Sequence, residues 1–205
     1  MIFPSSNHNN RILAYNRWPQ VITEMETMSI RPYKDQHPRI HASVMVDTQA
    51  TIIGDVSIGA HSSVWPQAVI RGDVHRITIG ERTSIQDGCV LHVTHAGPYT
   101  GTGQALLVGD AVTVGHNAVL HACTIGNQVL IGMGSTVLDG ATIEDHVMLG
   151  ANSLVPSGKT LASGYLYTGS PAQQRRPLTE QELALLDYMA DNYVALKNTY
   201  METDQ

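Results

Sequence analysis

A single phenylalanine, two tryptophans and two cysteines in 205 residues leave little from which to build an aromatic core or a disulfide framework. The interior must then come from Ile, Leu, Val and small residues, which favours thin, regular layers. Basic charge is also scarce: 12 Lys and Arg against 18 Asp and Glu give a formal net charge of −6, which argues against nucleic acid or an anionic membrane as the main partner. No apolar run reaches transmembrane length and no signal-peptide pattern is present, so the expectation is a cytoplasmic protein with free thiols. The length suits one domain plus an appendage.

Three parts follow from the composition along the chain: an extension over 1–27, a repeat domain over 28–178, and a helix with its tail over 179–205. The extension carries Pro4, Ser5, Ser6, Asn7, Asn9 and Asn10 with scattered apolar residues, and reads as disordered. The alternative is an ordered arm that packs on a partner.

The middle part repeats every six residues. Ile40, Val46, Ile52, Ile58, Val64 and Ile70 form one series; Ile79, Ile85 and Leu91 resume it after three extra residues, and Val108, Val114 and Leu120 after a longer insertion. One further slip gives Ile125, Ile131, Val137, Ile143, Leu149, Val155 and Leu161. All nineteen positions are Ile, Leu or Val, although these types make up only about a quarter of the chain. Two places before them sit small residues such as Ala68, Cys89, Ala118 and Cys123, and one place after them glycine recurs, as at Gly59, Gly80, Gly109 and Gly126. An aliphatic, a small residue and a turn glycine every six residues predict a parallel β-helix, in which the aliphatic fills the interior and stacked coils satisfy one another's backbone groups. Cys89 and Cys123 then become inert core thiols.

Beyond the repeat, Thr179 with Glu182 is a capping box. The apolar positions Leu183, Leu186, Ala190, Tyr193 and Val194 recur at helical spacing, and a helix from Thr179 to Met201 would be about 34 Å long, enough to lie along one side of the solenoid.

If three hexapeptides make one coil, residues three repeats apart stack. Arg71, His92 and His121, each following an inward aliphatic, then form one outward column, and Asp87 lies beneath His116 on another face. Adjacent coils are about 4.8 Å apart, close enough for two imidazoles to reach one ion. His116 cannot join them within one prism. Three prisms around a threefold axis would bring the two columns together, completing a three-histidine site and pairing Arg71 with Asp87 across the boundary.

Taken together, Arg71-Gly72-Asp73, Gln86-Asp87-Gly88, His92, His116 and His121 resemble the site motifs of the gamma-class carbonic anhydrases and their YrdA-type bacterial relatives, over roughly Ile30 to the end of the chain. The resemblance implies a left-handed parallel β-helix of about six coils with a C-terminal α-helix packed along it. It implies a homotrimer with metal at its subunit interfaces, held by His92, His116 and His121. Zinc is the expected ion, with iron or cobalt as alternatives, and it would activate a water that attacks carbon dioxide. By the same resemblance Gln86 would hydrogen-bond that activated water, and Arg71, Asp73 and Asp87 would tie subunits together. Tyr167 is expected at the mouth of the site.

The chain also departs from the family. Where the active enzymes carry glutamate proton shuttles it has Val74 and His95, and Ser84 stands where asparagine is common. His95 becomes the candidate shuttle, since imidazole exchanges protons near neutral pH. These departures point to weak hydration and keep two other readings open. One is a metal-binding acyl-coenzyme A thioesterase or hexapeptide transferase relative; the other is a non-catalytic trimer in which metal serves assembly.

Overall fold

The structure, a computed structural model, describes residues 29–203, and the extension read as disordered lies outside the described residues. From Ile30 onward the chain winds into a three-faced parallel β-solenoid, most of its strands only two or three residues long. On one face Met45–Val46, Ser63–Val64, Ser84–Ile85, Thr113–Val114, Leu130–Ile131, Met148–Leu149 and Tyr165–Thr168 stack in parallel. The next face stacks Ile30–Arg31, the first half of Thr51–Ile58, the first half of Val69–Ile79, Val90–His92, Val119–His121, Thr136–Val137 and Leu154–Val155. The third face uses Arg39–Ile40, the second halves of the two long strands, Leu106–Val108, Thr124–Ile125, Thr142–Ile143 and Thr160–Leu161. Each face is seven rungs deep, because Ile30–Arg31 and Tyr165–Thr168 add pairing before and after the nineteen counted hexapeptides.

Two interruptions of the count become excursions. The three extra residues sit where Gly72 pairs with Gly54 but Ile77 pairs with Val56, so Asp73 to Arg76 bulge outward. The longer insertion is a hairpin over 94–104, closed by bridges Thr94 to Gln104 and Gly97 to Gly101.

The predicted aliphatics fill the core. All are buried except Ile40 and Val46, which are half-buried at the open first coils. Cys89 and Cys123 are free and buried among them, and burial pushes their thiols up to about 11 and about 12. Neither is a nucleophile at neutral pH.

The turn glycines serve close packing rather than backbone conformation. Gly59, Gly80, Gly109 and Gly126 do not carry the left-handed backbone; residues two places later do, at His61, Arg82, Ala111 and Gln128. What these glycines supply is room between rungs: a Cβ on Gly80 would meet the Gly109 carbonyl at 2.6 Å. The coil closes there too tightly for any side chain.

Helix α1 spans Glu180–Thr203 and begins with the predicted capping box: the Glu182 amide donates to Thr179 Oγ1 at 3.2 Å and the Thr179 amide to Glu182 Oε2 at 2.9 Å. Arg176 grips the same carboxylate with two bonds, at 2.7 and 2.8 Å, and its hydrogen bonds pull the Glu182 carboxyl down to about 2. The helix runs along the Ser63–Val64 face. Its anchor is Trp65, whose indole Nε1 donates to Ser63 and Ser84 Oγ at 3.0 Å and whose ring meets Tyr193 and Tyr200 edge-on, centroids 6.1 and 5.2 Å away. Trp65→Ala should lower the unfolding free energy by about 3–5 kcal/mol in urea titration, because it removes a buried ring that holds helix to solenoid. A loss under about 1 kcal/mol would mean that Arg82–Asp191 and Gln128–Asp187 suffice to dock α1. Among the described residues, no helix is long and apolar enough to cross a membrane.

Candidate metal centre

The stacking rule delivers the predicted pair. Leu91 and Leu120 are register partners, both fully buried, so His92 and His121 are thrown outward on adjacent rungs of the same face. Their rings lie 5.2 Å apart between centroids, with His92 Nδ1 3.1 Å from His121 Nε2.

Aspartates fix both rings. His92 Nε2 lies 3.1 Å from Asp73 Oδ1, and His121 Nδ1 lies 3.0 Å from Asp139 Oδ2. An ionised carboxylate only accepts, so each ring must spend its N–H on its aspartate. In the neutral rings the remaining nitrogens are His92 Nδ1 and His121 Nε2, and these two lone pairs face each other across 3.1 Å. That arrangement is repulsive until a cation or a proton sits between them. A separation of this size is what two nitrogens adopt when each is about 2.0–2.1 Å from one ion, and the carboxylate–histidine pairing is what orients zinc-binding imidazoles. Burial holds His92 below the ordinary imidazole value, outweighing the pull of Asp73, and so favours the neutral, ligating form. Burial works against ionising Asp73, but hydrogen bonds from Arg71 and His92 outweigh it and its carboxyl stays below the usual range. Asp139 behaves alike, through Thr94 and His121.

His116 stands at the corner between the Ser63–Val64 face and the histidine face. It has the same backing: its Nδ1 is 2.8 Å from Asp87 Oδ2, and its amide donates to Gln86 Oε1 at 3.1 Å. Its ring is half-exposed, and among the described residues its Nε2 takes no hydrogen-bond partner. Among the described residues no three His, Cys, Asp or Glu side chains converge on a point: His92 and His121 share one face, and His116 stands at its corner. Within the chain Arg71 pairs with Asp73 at 2.5 Å and His116 with Asp87 at 2.8 Å.

The other candidates divide. Gln86 is buried beside His116 and borders a cavity of about 340 Å³ between the solenoid and α1, lined by Leu130, Met133, Met189 and Tyr193. His95 is exposed in the 94–104 hairpin and Val74 in the Asp73 bulge. Tyr167 is not brought to the histidines. It lies six residues after Leu161 and so takes the inward position on the last rung, 4% exposed, with its hydroxyl committed to Ala162 and Gln174. Ser84 is buried under Trp65 rather than open to a substrate.

Two residues of the site escaped the spacing analysis, Asp139 and Thr94. Asp139 follows Leu138 on the coil above His121, one step outside the column that holds the histidines. Its neighbour Gly140 donates to the Ala122 carbonyl, which fixes this turn directly over the one that follows His121.

Beside the histidine pair runs an apolar stripe. Val69, Val90 and Val119 stack in one stripe beside Arg71, His92 and His121, and Val90 is 41% exposed. On the corner carrying His116, Met133 is 56% exposed.

Comparison with known proteins agrees with this architecture. The family model for bacterial transferase hexapeptide repeats (six repeats) matches residues 37–72 and 122–157. The chain is 57% identical over 173 residues to Protein YrdA of Escherichia coli, covering 84% of this chain and 94% of that one. It is 42% identical over 162 residues to mitochondrial gamma carbonic anhydrase 2 of Arabidopsis thaliana, covering 79% of this chain and 58% of the plant protein. Among solved structures, a hexapeptide transferase family protein from Anaplasma phagocytophilum superposes with a TM-score of 0.78 at 40% identity, over 85% of this chain and 99% of that one.

Proposed function

The chain belongs to the hexapeptide-repeat family, among the relatives of YrdA and the gamma carbonic anhydrases, and from that membership we propose that it is a metal-dependent carbonic anhydrase-like enzyme assembled as a homotrimer. The observation that carries the reading is the facing pair of ring nitrogens, His92 Nδ1 and His121 Nε2, each oriented by its own aspartate. A neighbouring copy's His116 corner supplies the third imidazole through its free Nε2. His92, His121 and the neighbour's His116 would hold the metal, which when bound would supply Lewis-acid activation of water at neutral pH.

The chain's own residues do the rest. Asp73, Asp87 and Asp139 keep the three rings in their ligating tautomers. Gln86, with its carbonyl oxygen committed to the His116 amide, leaves its carboxamide N–H groups to orient the reacting oxygen. His95 accepts the proton released and passes it to solvent from the exposed hairpin. With one imidazole where the active enzymes place carboxylates, turnover is limited by proton export.

Acyl thioester hydrolysis or acyl transfer is the second reading. It is favoured by the apolar cavity beside Gln86 and His116 and by the likeness to a hexapeptide transferase family protein. Stopped-flow carbon dioxide hydration on zinc- and iron-loaded protein separates the two. The expected result is a rate above that of His92→Ala in protein carrying about one metal per chain. A rate equal to that control removes the hydratase reading, and release of thiol from an acyl-coenzyme A by the same sample would put the second in its place.

A further inference from the structure

We infer that Asp139 is a positioning residue that serves the metal site and the hairpin above it at once. The inference rests on the metal-binding reading of His92 and His121. One oxygen of Asp139 accepts from His121 Nδ1 at 3.0 Å, and the other accepts a short hydrogen bond from the Thr94 hydroxyl. Thr94 is the first residue of the 94–104 hairpin, bonded through its backbone to Gln104 at 3.1 and 2.9 Å. Gln104 in turn lies against Gly140, where a Cβ would come within 3.3 Å of its carboxamide. A continuous chain of contacts therefore runs from the ligand ring of His121, through one carboxylate, to the base of the loop that presents His95.

The arrangement has two consequences. Asp139 holds the His121 ring with Nε2 turned toward His92, so that the half-site is set before any ion arrives. It also fastens the hairpin to that same ligand, so that the loop and the ring share one anchor and loosening either loosens the other. Asp73 does only the first of these for His92, its second oxygen being taken by Arg71. Nothing else among the described residues bonds to His121 on its Nδ1 side.

The test is zinc affinity of the full-length protein by competition with a chromophoric chelator. The absorption spectrum of the cobalt-loaded form and hydrogen exchange of the amides over 94–104 are read alongside it. Asp139→Ala should weaken zinc binding by about 10–100-fold, shift the cobalt bands and speed exchange in the hairpin, while the circular dichroism of the solenoid is unchanged. Asp139→Asn, which keeps an acceptor for the ring N–H, should recover part of the loss. Thr94→Val, which leaves the His121 contact in place, should speed hairpin exchange with a smaller loss of affinity, and it keeps the question open to measurement should Asp139→Ala fold poorly. Wild-type protein that binds about one zinc per chain, alongside an Asp139→Ala protein of equal affinity and unchanged cobalt spectrum, overturns this inference and leaves the metal reading standing. Wild-type protein that binds no zinc overturns both.

Discussion

Chains carrying His116→Ala and chains carrying His92→Ala with His121→Ala should each hold little metal when purified alone, and should regain about a quarter of the wild-type content when coexpressed in equal amounts. If a site needs the histidine face of one subunit and the His116 corner of the next, each of the three boundaries in a closed ring is an ordered pair. Random mixing places a His116→Ala chain on the face side and a doubly substituted chain on the corner side at about one boundary in four. Those boundaries hold His92, His121 and His116 intact, and only those can bind the ion with three imidazoles. The measurement is metal per chain after gel filtration, with carbon dioxide hydration followed in the same fractions. No recovery in a coexpressed sample that native mass spectrometry shows to be mixed trimers would mean that the half-sites do not meet across a subunit boundary. The separation of His116 from the facing pair on the solenoid surface is what makes a quarter, rather than nothing, the expected figure.

Much of this was legible in the sequence because a solenoid converts spacing into position almost without tertiary adjustment. Once Ile70, Leu91 and Leu120 are taken as one inward column, the outward neighbours Arg71, His92 and His121 have nowhere else to go, and the register pairing of Leu91 with Leu120 bears this out. Asp87 beneath His116 followed from the same rule. The rule says nothing about the diagonal direction, and Asp139 reaches His121 diagonally from the turn above it. It also predicts orientation only when applied consistently: Tyr167 continues the six-residue count from Leu161, which commits it to the core whatever its chemistry. The part the corner glycines play lies beyond the rule for a related reason. Spacing locates them at the corners but cannot distinguish a left-handed backbone from a close approach of two coils, and the glycines at these corners answer to the second.

The apolar stripe beside the histidines gives the other large effect. Val69, Val90 and Val119 form a row of β-branched side chains on a sheet face, and Val90 is 41% exposed although it lies two residues from His92 on the same side. A subunit packed over His92 must cover Val90 as well. Val90→Asp places a carboxylate on a surface open to water in the free chain, so folding of the single subunit should change by about 1 kcal/mol or less. In the assembled ring the same carboxylate is buried without a partner at each boundary, at a cost of about 3–5 kcal/mol apiece. The proposed trimer should therefore dissociate at micromolar concentration, read by light scattering after gel filtration, and metal content should fall with it, because each His92–His121 pair would lose the neighbour's His116. Leu107→Asp is the control: Leu107 is 36% exposed on the third face, which carries none of the three histidines, and its substitution should leave both assembly and metal in place. A Val90→Asp protein that remains a trimer with full metal would show that the histidine face is not the surface through which subunits meet, and the third imidazole would then have to be sought elsewhere.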